Sequence, residues 1–263
     1  MIFNIGGGGA AKFSLAYTGE MAASQCTMSG TVYNLYMLTT SGTLTVKGKG
    51  LVDVWMCGGG ANGSNFGGGG GHFTLATAQE LTKGEYTVTI GAAQGTTSIT
   101  KGSQILITAA GSTNQNGASG GGGYTSVYSG PGGYSTPQTP GSGGGQTTRP
   151  FSDTQNFPSL PCAGGGGAGT QDSYEDYQGQ WSANAGDGGA GGSNGGSGGT
   201  SSAKYSTTAN VGGAGGATGG GAGGGTSGYA GAATYYGSGG GGHANSQRRG
   251  AGYQGVCYIR VAV

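Results

Sequence analysis

The fold is decided by the stretch LVDVWMCGGG at residues 51–60, where strand chemistry passes directly into glycine. Within it, Val52, Val54 and Met56 fall on one face and Asp53 on the other, which is the pattern of a half-buried β-strand. The stretch joins two composition regimes that divide the whole chain.

Outward from this stretch, short runs rich in Tyr, Thr and Val alternate with turn residues, which predicts further strands. The chain ends in strand chemistry again, with Ile259, Val261 and Val263 on one face and Arg260 opposite. Such a terminal strand must close a sheet that already exists. The other predicted strands are Val32–Leu38, Thr43–Val46, His72–Ala76, Glu85–Ile90, Thr96–Thr100 and Gln104–Ala109, with Lys47–Gly50 as a turn.

Glycine dominates the composition, with 70 of 263 residues against a usual share of about 7%. Residues 111–255 hold 48 of these glycines, whereas 23 of the 26 Leu, Ile and Val residues lie in 1–110 or 256–263. The net charge is only +1, so charge repulsion does not hold the chain open. This segregation predicts a packed core flanking a glycine-rich insertion.

A flexible linker is the alternative for the insertion, because glycine is the residue whose ordering costs the most backbone entropy. However, the insertion returns to the sheet at its far end and carries 13 aromatic residues. Glycine runs in the threefold polyproline II conformation make no internal hydrogen bonds, so neighbouring runs can satisfy each other. We therefore expect packed polyglycine helices.

These observations predict an all-β fold, a β-sandwich closed by the C-terminal strand and carrying a large glycine-rich insertion of polyglycine/polyproline II-type helices. The expected domains are an N-terminal attachment arm at 1–29, a sandwich formed by 30–110 and 256–263, and the insertion with aromatic loops at 111–255.

Several function classes find no support in the sequence. Ten basic and nine acidic residues without charge runs argue against nucleic acid, and no apolar stretch is long enough for a membrane span. Neither a phosphate-binding loop nor a nucleophile elbow is present, and only two histidines occur. We expect a protein that is not an enzyme, with no catalytic residues, metal site or cofactor, synthesised in the cytoplasm.

The four cysteines, Cys26, Cys57, Cys162 and Cys257, have no CxxC spacing. We favour reduced, mostly buried thiols over a disulfide framework, because a chain of this length does not need such a framework. Cys57 and Cys257 lie in predicted strands that can be neighbours.

Three motifs together resemble the glycine-rich domain of many phage and prophage tail proteins. The opening YNLY at 33–36, TSGTLTV at 40–46 and VDVWMCGGG at 52–60 is similar to the start of that family, GEYTVTIG at 84–91 to its hairpin, and GVCYIRV at 255–261 to its closing strand. The first nine residues also look like leaders of prophage tail proteins.

The resemblance implies a place in the virion, on the phage tail, and a role in tail-fibre or tail-tip host recognition. The implied partners are other tail or baseplate proteins and a host cell-surface receptor, either glycan or protein. We expect a homo-oligomer, with a trimer favoured. The alternative is a purely architectural tail or baseplate protein that bridges virion subunits.

Aromatic loops are the candidate receptor-binding residues, because Tyr and Trp offer large contact areas at low entropic cost. The same rings could instead seal the glycine slab or fill a subunit interface. Other rivals are a secreted adhesive protein, a Ca²⁺ loop at 172–176 and a glycan-processing enzyme using Glu175 and Asp187. The candidates are Tyr174, Tyr177, Trp181, Tyr229, Tyr235, Tyr236 and His243.

Limited proteolysis distinguishes an ordered insertion from a flexible linker. Lys204, Arg248 and Arg249 are the trypsin sites within the second half of the insertion. We expect them to resist cleavage in the native protein, because an ordered backbone must open before a protease can bind it. Mass spectrometry of the fragments measures this, and rapid cleavage beside a resistant sandwich would contradict the ordered insertion.

Overall fold

The computed structural model describes residues 13–64, 67–114, 125–127, 135–137, 149–153, 155–157, 161–162, 219–223, 229–242 and 246–263. In these parts the fold is all-β, with short 3-10 turns at Pro150–Ser152 and Ser246–Arg248 and no α-helix. The strands are β1 Ser14–Tyr17, β2 Met21–Met28, β3 Thr31–Leu38, β4 Gly42–Cys57, β5 Phe73–Thr89, β6 Thr97–Lys101, β7 Gln104–Ala109, β8 Thr125–Val127, β9 Ser135–Pro137 and β10 Val256–Ala262.

Eight strands form one antiparallel sheet in the order β2-β3-β10-β4-β5-β6-β7, with β1 beside β4, and β8 pairs with β9 separately. The C-terminal strand β10 lies between β3 and β4, so it occupies the interior of the sheet. The predicted closure by the last strand is confirmed. The sheet is complete only when residues 256–262 take their place between β3 and β4.

The sheet has two halves, which we call wings, and strands β4 and β5 are long enough to belong to both. On the side of β4 away from β5, β1 pairs with residues 44–47 and β10 pairs with residues 53–57. The β4–β5 register shifts between Val46 and Lys49, where Gly48 has a φ of 75°. The predicted turn at Lys47–Gly50 is therefore a bulge inside one strand, which lets the strand change direction.

A single hydrophobic cluster lies between the wings and makes the fold sandwich-like. It combines Leu44 and Val46 from the first half of β4 with Val54 and Met56 from the second half. The inward-facing residues of the other strands complete it; they include Tyr36, Leu38, Tyr86, Val88, Ile99, Cys257, Ile259 and Val261.

The sheet extends into the segment that the sequence assigned to an arm. β1 and β2 both lie within residues 1–29, and residues 1–12 lie outside the described residues. β2 is an edge strand whose residues 22–25 are exposed and small or polar, so it lacks the apolar alternation by which strands are found in sequences.

Glycine-rich runs continue from the sheet and pack side by side, and we call this packed region the glycine lattice. Backbone hydrogen bonds connect its runs with a period of three residues. The amides of Gly58 and Ala61 donate to the carbonyls of His72 and Gly69. Gly60 and Gly63, also three residues apart, donate to a different run, at Tyr253 and Gly250. The lattice consists of residues 58–63, 67–72, 91–95, 110–114, 219–223, 230–233, 237–242 and 250–255.

The period of three is that of the polyproline II helix, in which successive N–H groups point in three directions. The other runs follow the same rule: Gly68 and Gly71 donate to residues 240 and 237, and Ala230 and Ala233 donate to residues 248 and 251. The predicted packing of polyglycine-type helices is confirmed for the described residues. The lattice also includes runs at 58–63, 67–72 and 91–95, which precede residue 111.

Glycine is required because the runs touch through their backbones. A Cβ atom built on Gly63 would overlap the carbonyl oxygen of Gly241, and one on Gly221 would overlap that of Gly231. The glycines from 237 to 242 are all buried, with Ser238 among them. Here the core consists of main-chain atoms rather than side chains.

Two glycines that face each other provide a test of this packing. Gly221→Ala would place its Cβ against the Gly231 carbonyl, and such overpacking costs about 1–3 kcal/mol or more of unfolding free energy. Gly231→Ala is the matched control. Its Cβ would make a tight contact of 3.0 Å with the Ala222 nitrogen but no overlap, so its loss of stability should be smaller. Denaturant unfolding of both variants measures the difference, and equal stabilities would contradict direct backbone packing at this position.

Candidate functional site

The glycine lattice has one end fixed to the sheet. β4 runs into residue 58, β7 runs into residue 110, and residues 72 and 255 lead into β5 and β10. At this junction Gly255 donates to the carbonyl of Gly91, and Gly59 to that of Gly95. We call this the junction end, and the opposite end the tip.

Four chain connections leave the lattice at the tip. Gly63, which precedes one connection, donates to Gly250, which follows another. Gly231 donates to Ala222, so the ends of these two runs also lie beside each other. Antiparallel runs that begin at the sheet must turn at the far end. The connections at the tip follow residues 64, 114, 223 and 242.

Tyr229 lies at the tip and is the most exposed large hydrophobic residue in the described part of the chain, with 75% of its surface accessible. The guanidinium of Arg248 lies 5.5 Å from its ring centre, a cation–π distance. Ala230 donates to the carbonyl of Arg248, which fixes the two residues side by side on neighbouring runs. The sequence analysis did not include Arg248 among the receptor-binding candidates, although it follows the same glycine-rich segment as the candidate His243.

Tyr235 and Tyr236 lie at the junction end, away from Tyr229. The ring of Tyr236 lies 5.5 Å from the rings of both Tyr235 and Tyr253, and its carbonyl accepts a hydrogen bond from the Cys162 amide. Burial raises the pKa of both phenols, Tyr235 and Tyr236. These rings therefore pack between lattice and sheet, which is one of the two roles expected for the aromatic residues.

The other four receptor-binding candidates lie in parts of the chain that the structure does not describe. Tyr174, Tyr177, Trp181 and His243 lie outside the described residues, as do the acidic residues of the alternative metal and catalytic sites. His243 belongs to the connection that leaves the tip after residue 242. Among the residues that the structure describes, no three potential metal ligands cluster.

A second hydrophobic cluster covers the outer face of the C-terminal wing, which is formed by β3, β10 and the end of β4. It holds part of the insertion against that face. Trp55 is fully buried and stacks on Phe73 with ring centres 6.0 Å apart, and Tyr258 meets Phe157 edge-on at 5.1 Å. Phe157 lies in the insertion, and Arg149 closes its loop by donating to the Phe157 carbonyl at 2.8 Å. The insertion is thus joined to the sheet by side chains as well as by the lattice.

An ion pair lies at the edge of this cluster. Arg260 on β10 donates to Asp53 on β4 at 2.8 Å, and its guanidinium lies between the rings of Tyr33 and Phe151, at 4.5 and 4.4 Å. Both charged side chains are mostly shielded from solvent. In the sequence, each is the one charged residue of its predicted strand, on the face opposite the apolar residues. That shared feature was a signal by which their pairing could have been found.

Comparison with known proteins identifies the family of this chain. A family model described as a glycine-rich domain matches residues 38–262, almost the whole chain. No match was found among curated proteins or among solved structures. Within the described ranges, no helix has the length and apolar character needed to cross a membrane.

The different positions of Tyr229 and Tyr236 predict different effects of removing each ring. Tyr236→Ala should lower the free energy of unfolding by about 2 kcal/mol, because it empties a packed position between lattice and sheet. Tyr229→Ala is the control and should change it by less than about 0.5 kcal/mol, as expected for an exposed side chain. Denaturant unfolding measures both, and a loss for Tyr229→Ala as large as that for Tyr236→Ala would contradict this assignment.

Proposed function

The chain belongs to the family of glycine-rich domains, and we propose that it is a non-enzymatic phage tail protein that recognises the host surface through the tip of its glycine lattice. The proposal places it in the virion, on the tail fibre or tail tip, among other tail proteins. Its ligand is a bacterial cell-surface glycan or protein.

The observation that carries the proposal is the separation of the two lattice ends. The junction end is packed against the sheet, whereas the described runs that end at residues 64, 114, 223 and 242 do so at the tip, where Tyr229 is exposed. Connections held on a rigid framework are the usual location of binding residues, because they can vary in sequence without disturbing the core. The tip is therefore the part of the molecule best suited to contact a receptor.

The lattice lowers the entropic cost of binding a ligand at the tip. Each run is held by backbone hydrogen bonds of 2.7–3.0 Å to its neighbours, so the positions at which the connections leave are fixed before binding. Binding then requires less loss of conformational entropy than ordering a free loop would. Several copies on one tail would add avidity without new contacts.

The chemistry at the tip fits both classes of ligand. The face of Tyr229 can stack on the apolar face of a sugar ring or on a protein side chain. Arg248 beside it supplies fixed hydrogen-bond donors that suit carboxylate and phosphate groups of cell-envelope polymers. Both side chains come from residues adjacent to lattice runs, which limits their motion.

Binding of the purified full chain to intact bacterial cells tests the proposal. The double variant Tyr229→Ala, Arg248→Ala should bind about 5- to 30-fold more weakly, because loss of a central aromatic contact costs on the order of 1–2 kcal/mol. Ile105→Ala is the control, since Ile105 is 64% exposed but lies on β7 of the sheet. Fluorescently labelled protein and a panel of candidate host strains provide the measurement.

Two outcomes would contradict the proposal. Undiminished binding by the double variant would place the receptor contact away from this part of the tip. Failure of the wild-type chain to bind any strain that its phage infects, combined with its presence in purified tails, would replace host recognition with the architectural alternative.

A further inference from the structure

Two cysteines that are distant in the sequence meet where the sheet, the lattice and the insertion join. Cys57 is the last residue of β4, and Cys162 follows the insertion loop 149–157; both are fully buried in the second cluster. A Cβ atom built on Gly237 would lie 3.0 Å from the sulfur of Cys57 and 2.8 Å from that of Cys162. Both sulfur atoms therefore lie beside the same point on Gly237.

The other two cysteines cannot reach this position. Cys257 lies on the strand next to Cys57, but its register partner is Met56, and its side chain belongs to the cluster on the opposite face of the sheet. Cys26 lies on β2, which is separated from β4 by β3 and β10, a distance of about 14 Å across the sheet. The sequence predicted that the strands of Cys57 and Cys257 can be neighbours, and β4 and β10 do pair. The sulfur that lies near that of Cys57, however, belongs to Cys162.

We propose that Cys57 and Cys162 are a site of disulfide formation, in which a low-molecular-weight disulfide such as oxidised glutathione cross-links the insertion to the sheet. The inference goes beyond the proposed function, because it concerns a covalent modification and requires no particular ligand. In a reducing cytoplasm the pair stays as two thiols, and it is oxidised after the protein enters an oxidising environment.

The reaction proceeds by two thiol–disulfide exchanges. One cysteine thiolate attacks a sulfur of oxidised glutathione, which forms a mixed disulfide and releases one glutathione thiolate. The second cysteine thiolate then attacks the protein sulfur of the mixed disulfide and releases the second glutathione. Two protein thiols are oxidised, one glutathione disulfide is reduced to two glutathiones, and these take up the two protons.

Burial determines the rate of this reaction. Burial raises the pKa of the Cys162 thiol, and the neighbouring Cys57 raises it further. Little reactive thiolate is therefore present in the closed structure. Oxidation must therefore occur during local opening of the segment around Cys162, or before that segment packs on the sheet. The cross-link is correspondingly slow to form in the native protein and fast during refolding.

The cross-link would fix the insertion to the sheet at residue 162. It joins residue 57 of strand β4 to residue 162 of the insertion, and a second part of the insertion, at Gly237, packs beside this bond. A bond between positions so far apart in sequence removes many conformations from the unfolded chain. The oxidised protein should hold its insertion on the sheet under conditions that release it from the reduced protein.

Thiol counting in the purified full chain tests the proposal in two arms. In one arm the native reduced protein is incubated with oxidised glutathione; in the other it is refolded from denaturant in a glutathione redox buffer. After denaturation and alkylation, we expect two of the four thiols to be protected and peptide mapping to show a Cys57–Cys162 bond. The melting temperature should rise by about 5–10 °C and return on reduction.

Matched variants separate this bond from other oxidation. Cys57→Ala and Cys162→Ala should each lose the protection and the rise in melting temperature, whereas Cys26→Ala should keep both. The proposal is overturned if all four thiols remain open to alkylation in both arms, or if the mapped bond involves Cys26 or Cys257.

Discussion

Satisfaction of backbone hydrogen bonds is the constraint on which the rest of this structure depends. Buried N–H and C=O groups need partners, and a threefold extended chain has none of its own. In the glycine lattice each run obtains partners from the runs around it, as Gly60 and Gly63 do from the run at 250–253. Glycine provides little side-chain burial, so these bonds and the close contact of main-chain atoms replace the usual hydrophobic core.

The sheet and the lattice stabilise one another because each continues into the other. Five strands of the sheet, β4, β5, β6, β7 and β10, lead into or out of lattice runs. The wing formed by β3, β10 and the end of β4 is covered on both faces. On the outer face, Trp55 and Tyr258 pack against residues of the insertion, and the Arg260–Asp53 pair closes the edge. Neither part has a complete set of contacts without the other.

Alternation and composition predicted most of the strands, because Val, Ile and Leu occur where one face is buried, as in β3 and β10. They did not predict β2, whose exposed small residues carry no such pattern, or the continuity of β4 through Lys47–Gly50, where a bulge resembles a turn in sequence. The aromatic residues at 229–236 formed one group in the sequence. The direction of the lattice runs sends Tyr229 to the tip and Tyr236 to the junction, and that direction is set by non-local hydrogen bonds.

The threefold hydrogen-bond pattern also restricts how such a chain can evolve in length. One residue added within a lattice run would rotate every following N–H by about 120°, so that each bond would point toward the wrong neighbour. Insertions and deletions inside the runs are therefore compatible with the pattern only in steps of three, much as a reading frame is preserved in a gene. Chain outside such runs is not bound by the pattern and can gain or lose residues singly, so variation in length is directed away from the described runs and from the sheet.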